Sequence, residues 1–177
     1  MCTGDRLGGR SDCWASKGFL RLRVQPSPGV ELDVYTTHLD SGGTEADRTA
    51  RAAQLDELAS AIERDSAGRA VLVGGDLNLP ADRPEDLELF RAFLQRLGLR
   101  DTGAGPQHHD WRRVDYLLVR DGDDARIRVL EAGEDPRFVR DGVPLSDHPP
   151  IFARLEMQRS AAARDNPDAS GQAGVSK

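Results

Sequence analysis

Apolar and polar side chains alternate in two successive segments near the start of the chain. Residues 18–24 (GFLRLRV) and 30–38 (VELDVYTTH) change character from one position to the next, which is the period of a β-strand. The intervening QPSPG carries the Pro and Gly residues that favour a turn. Residues 70–75 (AVLVGG) are apolar without alternation, which predicts a strand buried on both faces. Further strands are predicted at residues 113–119, 126–130 and 151–157.

Two segments between these strands repeat their apolar residues with the spacing of an α-helix. The first begins after Thr44, which forms a variant of the capping box with Asp47. Its apolar stripe consists of Leu55, Leu58, Ala59 and Ile62. The second begins near Pro84 and ends at Gly98, residues typical of a first helical turn and of a helix end. Its apolar stripe consists of Phe90, Phe93, Leu94 and Leu97.

Length and composition limit the classes of protein to which the chain can belong. With 177 residues, of which 38% are hydrophobic and 31% charged, it is expected to form one globular domain with its own core. No apolar run approaches the roughly 20 residues that cross a bilayer. The formal net charge of −6 weighs against tight, nonspecific binding of nucleic acid, which needs Lys and Arg to neutralise phosphates.

The two ends of the chain differ in composition from the segment between them. Residues 1–16 are rich in Gly and charge, and residues 158–177 in Ala, Ser, Gly and charge. We therefore expect an irregular start, a folded domain at residues 17–157 and a disordered tail. Cys2 and Cys13 could form a disulfide or be free thiols, and they do not indicate the cellular compartment. The start has no apolar segment of the signal-peptide kind, which predicts a soluble, cytoplasmic chain, or a secreted one if a signal lies upstream.

Polar side chains suited to acid–base or metal chemistry stand where the predicted strands begin or end. His38 closes one strand, Asp76 and Asn78 follow the next, and Asp147 and His148 precede the last. Such positions are where α/β proteins place their sites. An acid and an amide two residues apart point to the same side of an extended backbone, where they can hold a hydrated cation or an attacking water.

Asp115 is an acid inside an otherwise apolar strand. A buried carboxylate needs a partner, and a histidine is a natural one because the pair fixes the tautomer of the ring. The alternatives are a salt bridge to Arg112 or Arg113, or an edge position that faces water. The segment GDLN, taken alone, also fits an ordinary Asx turn. His108 and His109 lie in a polar loop and are interpreted as ordinary loop residues.

The order of these motifs resembles that of a known superfamily. TTHLD, GGDLN, RVDYLL and LSDHPP succeed one another within residues 11–157, as in the endonuclease/exonuclease/phosphatase superfamily, whose fold is deoxyribonuclease-I-like. The resemblance implies an α/β fold, part of a four-layer α/β/β/α sandwich. It also implies hydrolysis of phosphodiester bonds, in nucleic acid or phospholipid head groups, with Mg²⁺ or another divalent cation such as Mn²⁺. No protein partner is predicted.

The resemblance further implies a catalytic role for each matching residue. His148 corresponds to the histidine that acts on the attacking water or orients the phosphate, and Asp115 to the acid paired with it. Asp76 and Asn78 correspond to the acid and amide that position the nucleophile and steady the phosphate in the transition state. Asp147 corresponds to an acid that orients a metal or nucleophile, so Asp76 and Asp147 are the expected metal ligands.

Three residues are expected to bind the substrate phosphate. His38 corresponds to the histidine that binds or protonates phosphate oxygens, and Asn78 to the steadying amide. Lys17 belongs to the sequence ASKG at residues 15–18, which resembles an Ala-x-Lys-Gly element common before the THL strand in sphingomyelinase-like members of the superfamily. The alternative for Lys17 is a solvated lysine that precedes a strand.

The chain departs from the pattern of the superfamily in one respect. The family's main metal ligand is a glutamate in an early strand, usually with an asparagine near the start of the fold, and both precede the region matched here. The expectation is an N-terminally truncated fold with little activity of its own and with open strand edges at residues 18–24 and 30–38. The alternative is a noncatalytic relic that keeps the phosphate-binding groove.

Overall fold

The fold is described by a computed structural model, which covers residues 16–103 and 113–160. Strands and helices alternate in the first part of this region, and strands dominate the second part. The elements are β1 (Phe19–Ser27), β2 (Val30–His38), α1 (Glu45–Asp65), β3 (Ala70–Asp76), α2 (Pro84–Leu97), β4 (Arg100–Asp101), β5 (Asp115–Arg120), β6 (Ala125–Glu134), β7 (Val139–Arg140), β8 (Val143–Pro144) and β9 (Ile151–Arg159).

A five-stranded sheet forms the centre, with the strand order β1-β2-β3-β5-β4. β2 and β3 are parallel, whereas the other neighbouring pairs are antiparallel. Two parallel strands need a crossover connection, and α1 provides it between β2 and β3. As a result, the carboxyl ends of β2 and β3 lie side by side at one end of the sheet.

Both helices pack on one face of this sheet and follow the sequence analysis closely. The Thr44 side chain accepts a hydrogen bond from the Asp47 amide, and the Asp47 carboxylate accepts one from the Thr44 amide, so the capping box is confirmed. Gly98 caps the end of α2 with a φ of 64°, a conformation that glycine adopts more readily than other residues. The core between helices and sheet includes the predicted stripes together with Tyr35 and Leu118.

A two-stranded sheet of β6 and β9 covers the other face of the central sheet. Ala125 and Ile127 of β6 are buried in one cluster with Val30, Leu32 and Ala70 of the central sheet. The described residues therefore form three layers: helices, a large sheet and a small sheet. This is the order expected for part of an α/β/β/α sandwich, and the predicted mixed α/β class is confirmed.

The small sheet leaves the outer part of the central sheet open. β1 is an edge strand, and its Leu20 and Leu22 are 73% and 62% exposed. Val24, on the same face of the strand, packs against the cluster beneath the small sheet. The alternation predicted for residues 18–24 is therefore present, but only the last of these three apolar side chains is covered among the described residues.

Several boundaries differ from those predicted. β6 is longer than the predicted 126–130, and the strand predicted at 113–119 begins at Asp115. β9 runs to Arg159, and the hydroxyl of the buried Ser160 donates to the Asp123 carbonyl, so the folded domain extends beyond the predicted boundary at residue 157. β9 extends this far because its last residues pair with the start of β6. The rest of the predicted tail lies outside the described residues, as do Cys2 and Cys13.

A short hairpin of β7 and β8 precedes the last strand and was not predicted. Its turn residues Asp141 and Gly142 both have positive φ, 51° and 77°, as a two-residue hairpin turn requires. Val139 and Val143 of the hairpin are exposed. In residues 16–103 and 113–160 we find no helix with the length and apolar character needed to span a membrane.

Candidate active site

Three polar side chains stand at the same end of three neighbouring strands. His38, the last residue of β2, pairs in register with Asp76, the last residue of β3. Asp76 in turn pairs with Asp115, the first residue of β5. Because β3 is parallel to β2 and antiparallel to β5, the carboxyl ends of two strands and the amino end of the third coincide. The central sheet thus brings two acids and a histidine together from distant parts of the chain.

His148 joins this group from the loop before β9. Its Nδ1 lies 2.7 Å from Oδ2 of Asp115, a hydrogen bond, and its Nε2 lies 4.0 Å from Oδ2 of Asp76. The alternative partner for Asp115, Arg113, instead forms an ion pair of 2.6 Å with Asp101. The structure therefore pairs Asp115 with a histidine, as the sequence analysis favoured, while Arg112 lies outside the described residues.

Asp76 uses its two carboxylate oxygens in different ways. Oδ1 accepts a hydrogen bond of 2.9 Å from the backbone amide of Asn78. This is the Asx-turn arrangement that was considered as the alternative. Oδ2 lies 3.4 Å from Nε2 of His38. Gly75 before it has a φ of 145°, and a Cβ there would collide with the Thr37 carbonyl, so only glycine fits beside β2.

Asn78 does not follow the extended backbone assumed in the sequence analysis. Its φ is 49°, in the left-handed region that Asn tolerates better than most residues. Its Nδ2 donates a hydrogen bond of 3.1 Å to the carbonyl of Leu39. The expectation of an extended backbone from Asp76 to Asn78 is therefore wrong, because the chain turns immediately after Asp76.

The remaining predicted residues lie around this centre. Asp147 is exposed beside His148, and His38 is an open side chain that is 60% exposed. Lys17 is half-buried and its Nζ lies 3.4 Å from the Leu39 carbonyl, the same oxygen that accepts from Asn78. Asn78 and Lys17 thus share one anchor, which no sequence pattern had indicated.

Burial and the neighbouring charges shift the pKa values of Asp76 and His148. Burial, with the nearby charge of Asp115, raises the pKa of Asp76 above its ordinary value, although the Asn78 amide and the two histidines oppose the shift. Burial lowers the pKa of His148, but the hydrogen bond that its ring donates to Asp115 and the charges of the neighbouring acids outweigh burial, so the pKa is raised. The surroundings of His148 therefore favour its protonated form.

Three groups are close enough to hold one metal ion. Ligand atoms of Asp76, Asp115 and His148 all lie within 4.8 Å of one another. Since Asp115 and His148 already bond to each other, a cation would draw mainly on carboxylate oxygens. Mg²⁺ is usually held by one or two carboxylates and several waters, and this donor set fits that requirement. Asp147, the second predicted ligand, is not in this cluster.

Comparisons with known proteins bear on the fold of the chain. A sphingomyelinase of Mycobacterium tuberculosis is 30% identical over 165 residues, which cover 84% of this chain and 31% of the relative. The crystal structure of an endonuclease/exonuclease/phosphatase from Beutenbergia cavernae matches 78% of this chain and 39% of its own, with a TM-score of 0.62 and 21% identity. The chain has the endonuclease/exonuclease/phosphatase fold. The resemblance noted from its motifs is thereby confirmed.

Two further findings bear on the metal and on the extent of the match. β toxin of Staphylococcus aureus, in a structure with bound magnesium ions, matches 77% of this chain and 57% of its own, with a TM-score of 0.58 and 20% identity. The chain spans about a third of the length of the curated sphingomyelinases that it matches, 31%. No protein-family model matches the chain.

His108 and His109, which were interpreted as ordinary loop residues, lie outside the described residues.

Proposed function

We propose that this site hydrolyses phosphodiester bonds with the help of a divalent cation. The observation that carries the proposal is the convergence of His38, Asp76 and Asp115 on adjacent strand ends, with His148 hydrogen-bonded to Asp115 at 2.7 Å. A carboxylate–histidine pair beside a second, partly buried carboxylate is suited to proton transfer. The similarity to sphingomyelinases, which act on a phosphodiester, supports the same chemistry.

The hydrogen bond between Asp115 and His148 determines which ring nitrogen is available. With Nδ1 engaged by Asp115, Nε2 is the nitrogen that can exchange a proton with the attacking water or with an oxygen of the phosphate. Asp115 stabilises the positive charge that His148 carries once it has accepted a proton. The half-exposed ring can reach substrate while its orientation stays fixed, which is what a general acid–base group needs.

Other side chains of the site contribute to binding of the phosphate. His38 is exposed and can donate a hydrogen bond to a phosphate oxygen while Asp76 holds its Nε2 side. The side-chain amide of Asn78 and the ammonium of Lys17 both lie close to the Leu39 carbonyl. They provide a neutral and a charged hydrogen-bond donor. We assign them to the phosphate oxygens, where they stabilise negative charge that develops in the transition state.

We assign the cation to Asp76 and Asp147, with Mg²⁺ or Mn²⁺ as the ion. When bound, such an ion acts as a Lewis acid on the phosphoryl group. The end of β3 supports the role of Asp76, whose carboxylate belongs to the cluster of possible ligands, whereas the role of Asp147 rests on the resemblance of its motif. The carboxylate of Asp115 is an additional oxygen donor within the same cluster.

Among phosphodiesters, we propose a phospholipid head group as the substrate rather than nucleic acid. The net charge of −6 disfavours a polyanionic duplex, and the similarity to sphingomyelinases favours a choline phosphodiester. The test uses the natural gene product, whatever its length, with sphingomyelin, a phosphatidylcholine, duplex DNA and RNA as separate substrates. We expect hydrolysis of a lipid that stops on addition of EDTA and returns with Mg²⁺.

Other outcomes of this experiment are equally informative. Hydrolysis of DNA or RNA at a higher rate than of either lipid would contradict the substrate assignment while leaving the chemistry in place. Binding of phosphorylcholine without turnover on any substrate would favour the alternative of a noncatalytic domain that retains the phosphate-binding groove. Turnover that is unchanged by EDTA would contradict the role assigned to the cation.

A further inference from the structure

We propose that a buried ion pair between α1 and α2, Arg51 with Asp86, positions the phosphate-binding groups of the site. It does so by fixing residues 39–43, the loop after β2, and so acts without touching the substrate. The inference rests on the proposed function in one respect, that Asn78 contacts the phosphate.

The loop is the support for two side chains of the site. The Leu39 carbonyl accepts hydrogen bonds from Nδ2 of Asn78 at 3.1 Å and from Nζ of Lys17 at 3.4 Å. The Leu39 amide itself donates to the Asp76 carbonyl at 2.9 Å. A rotation of the peptide after Leu39 would therefore move the acceptor that orients both donors. The direction of this carbonyl is the quantity that the rest of the loop must hold constant.

Arg51 holds the loop directly beyond Leu39. One of its terminal nitrogens, Nη1, donates to the carbonyls of Asp40 and Gly42, both at 3.1 Å. The other, Nη2, donates to Oδ1 of Asp86 at 2.8 Å. The guanidinium is planar and presents its N–H groups in fixed directions. Anchoring one edge of it on α2 therefore determines where the two loop carbonyls must lie.

A contribution to folding stability does not by itself explain the buried ion pair between Arg51 and Asp86. Both side chains are 0% exposed, and removing two charges from water costs free energy that their attraction often fails to recover. Within the described residues, Nε of Arg51 and Oδ2 of Asp86 have no hydrogen-bond partner, so the pair is not even fully satisfied. Well-packed apolar residues would hold two helices together at least as well. What they would not provide is a donor directed at two backbone carbonyls of the loop.

The first test reads the orientation of Asn78 and does not depend on catalysis. The side-chain amide signals of Asn78 are recorded in the ¹⁵N–¹H spectrum of the 177-residue chain and identified by their loss in Asn78→Asp. The variants are Arg51→Met, which removes the donors at similar length, and Asp86→Asn, which keeps the shape of the anchor without its charge. Asp33→Asn is the control, because it disrupts another buried acid–arginine cluster that does not contact the loop.

We expect the Asn78 amide signals to move in Arg51→Met, and by a smaller amount in Asp86→Asn, while they stay in place in Asp33→Asn. A folded Arg51→Met chain with unmoved Asn78 signals would overturn the proposal. If Arg51→Met does not fold, Asp86→Asn decides by the same criterion. Equal movement in Asp33→Asn would also overturn it, since the effect would then follow lost stability rather than the lost contact.

The second test measures turnover in the natural gene product. Misplacement of a binding group by about 1 Å can lower a rate by about 100-fold, so we expect kcat to fall by about 10- to 100-fold in Arg51→Met with a smaller change in KM. A KM increase with unchanged kcat would contradict a role in the transition state. If the wild-type protein hydrolyses no phosphodiester, the proposed function fails, and the spectra still decide whether Arg51 positions Asn78.

Discussion

Asp33 provides the most direct test of how the central sheet is held together. Its carboxylate is fully buried in β2, yet it accepts hydrogen bonds from Arg21, Arg23, Arg69 and Ser66. These donors come from β1 and from the segment between α1 and β3, so one acid joins three parts of the fold. The perturbation is Asp33→Asn, which keeps the size of the side chain but removes its charge and one acceptor oxygen.

The expected loss of stability in Asp33→Asn depends on whether water can solvate the three arginines once the carboxylate is gone. A hydrogen bond to a charged group contributes about 1.5–3 kcal/mol, and breaking a fully buried ion pair costs about 3–5 kcal/mol. The three arginine side chains remain 28%, 42% and 31% exposed, so water can solvate them again. We therefore expect a loss of about 2–3 kcal/mol, a large part of the roughly 5–15 kcal/mol available to a domain.

The pH dependence of this loss has a definite sign. Burial opposes ionisation of Asp33, but the hydrogen bonds from its arginine and serine partners outweigh burial and hold its pKa well below the ordinary value. A depressed pKa contributes stability above the ordinary pKa of Asp, about 3.9, and the contribution is lost as the pH falls towards the folded value. The difference between wild type and Asp33→Asn should therefore be constant from pH 7 to about 5 and narrow below about 4.

Urea unfolding of both proteins at pH 7, 5 and 3 measures these differences. Asp56→Asn is the control, because Asp56 pairs with Arg96 on the surface with 73% of its side chain exposed, and we expect a change within about 0.5 kcal/mol. An Asp33→Asn chain as stable as wild type at pH 7 would contradict the stabilising role of the Asp33 carboxylate, as would a stability difference that widens at pH 3.

Three further predictions concern the site and the open edge. Asp115→Asn should lower turnover by about 100-fold or more and lower the pKa of His148, because a hydrogen bond and a charge that raise it are lost; NMR titration of the ring measures the second effect. Asp76→Asn should weaken Mg²⁺ binding about tenfold or more in calorimetry, because Mg²⁺ uses only one or two carboxylates, and unchanged affinity would argue against this ligand. Leu22→Lys should reduce self-association of the 177-residue chain in light scattering, because a lysine on an edge strand discourages pairing with another chain; a wild-type chain that is already a monomer would remove the premise.

Local signals explain why the helices were predictable. The capping residues at Thr44 and Asp47, and the Gly98 end of α2, act within a few residues of the chain, so the sequence contains everything that determines them. The same holds for the apolar stripes. The β7–β8 hairpin also had a local signal, the Asp141-Gly142 pair, which is typical of a two-residue hairpin turn.

The site was predictable in a different way. Position alone suggested that polar residues at strand ends meet, but the adjacency of His38, Asp76 and Asp115 depends on strand order and register, which only the resemblance to a known fold indicated. The positive φ of Asn78 depends on the turn after β3. The buried Arg51 contradicts the usual exposure of arginine, and its role depends on contacts with residues from another helix and from the loop after β2.

Turnover of His148→Ala in the natural gene product, with Mg²⁺ and the best lipid substrate, shows whether this ring transfers the proton in the reaction. We assign proton transfer to this ring, which Asp115 holds in place. We expect kcat to fall by at least about 100-fold, with Mg²⁺ affinity and the urea midpoint close to wild type. A His148→Ala protein that turns over its substrate at the wild-type rate would contradict the assignment of proton transfer to His148.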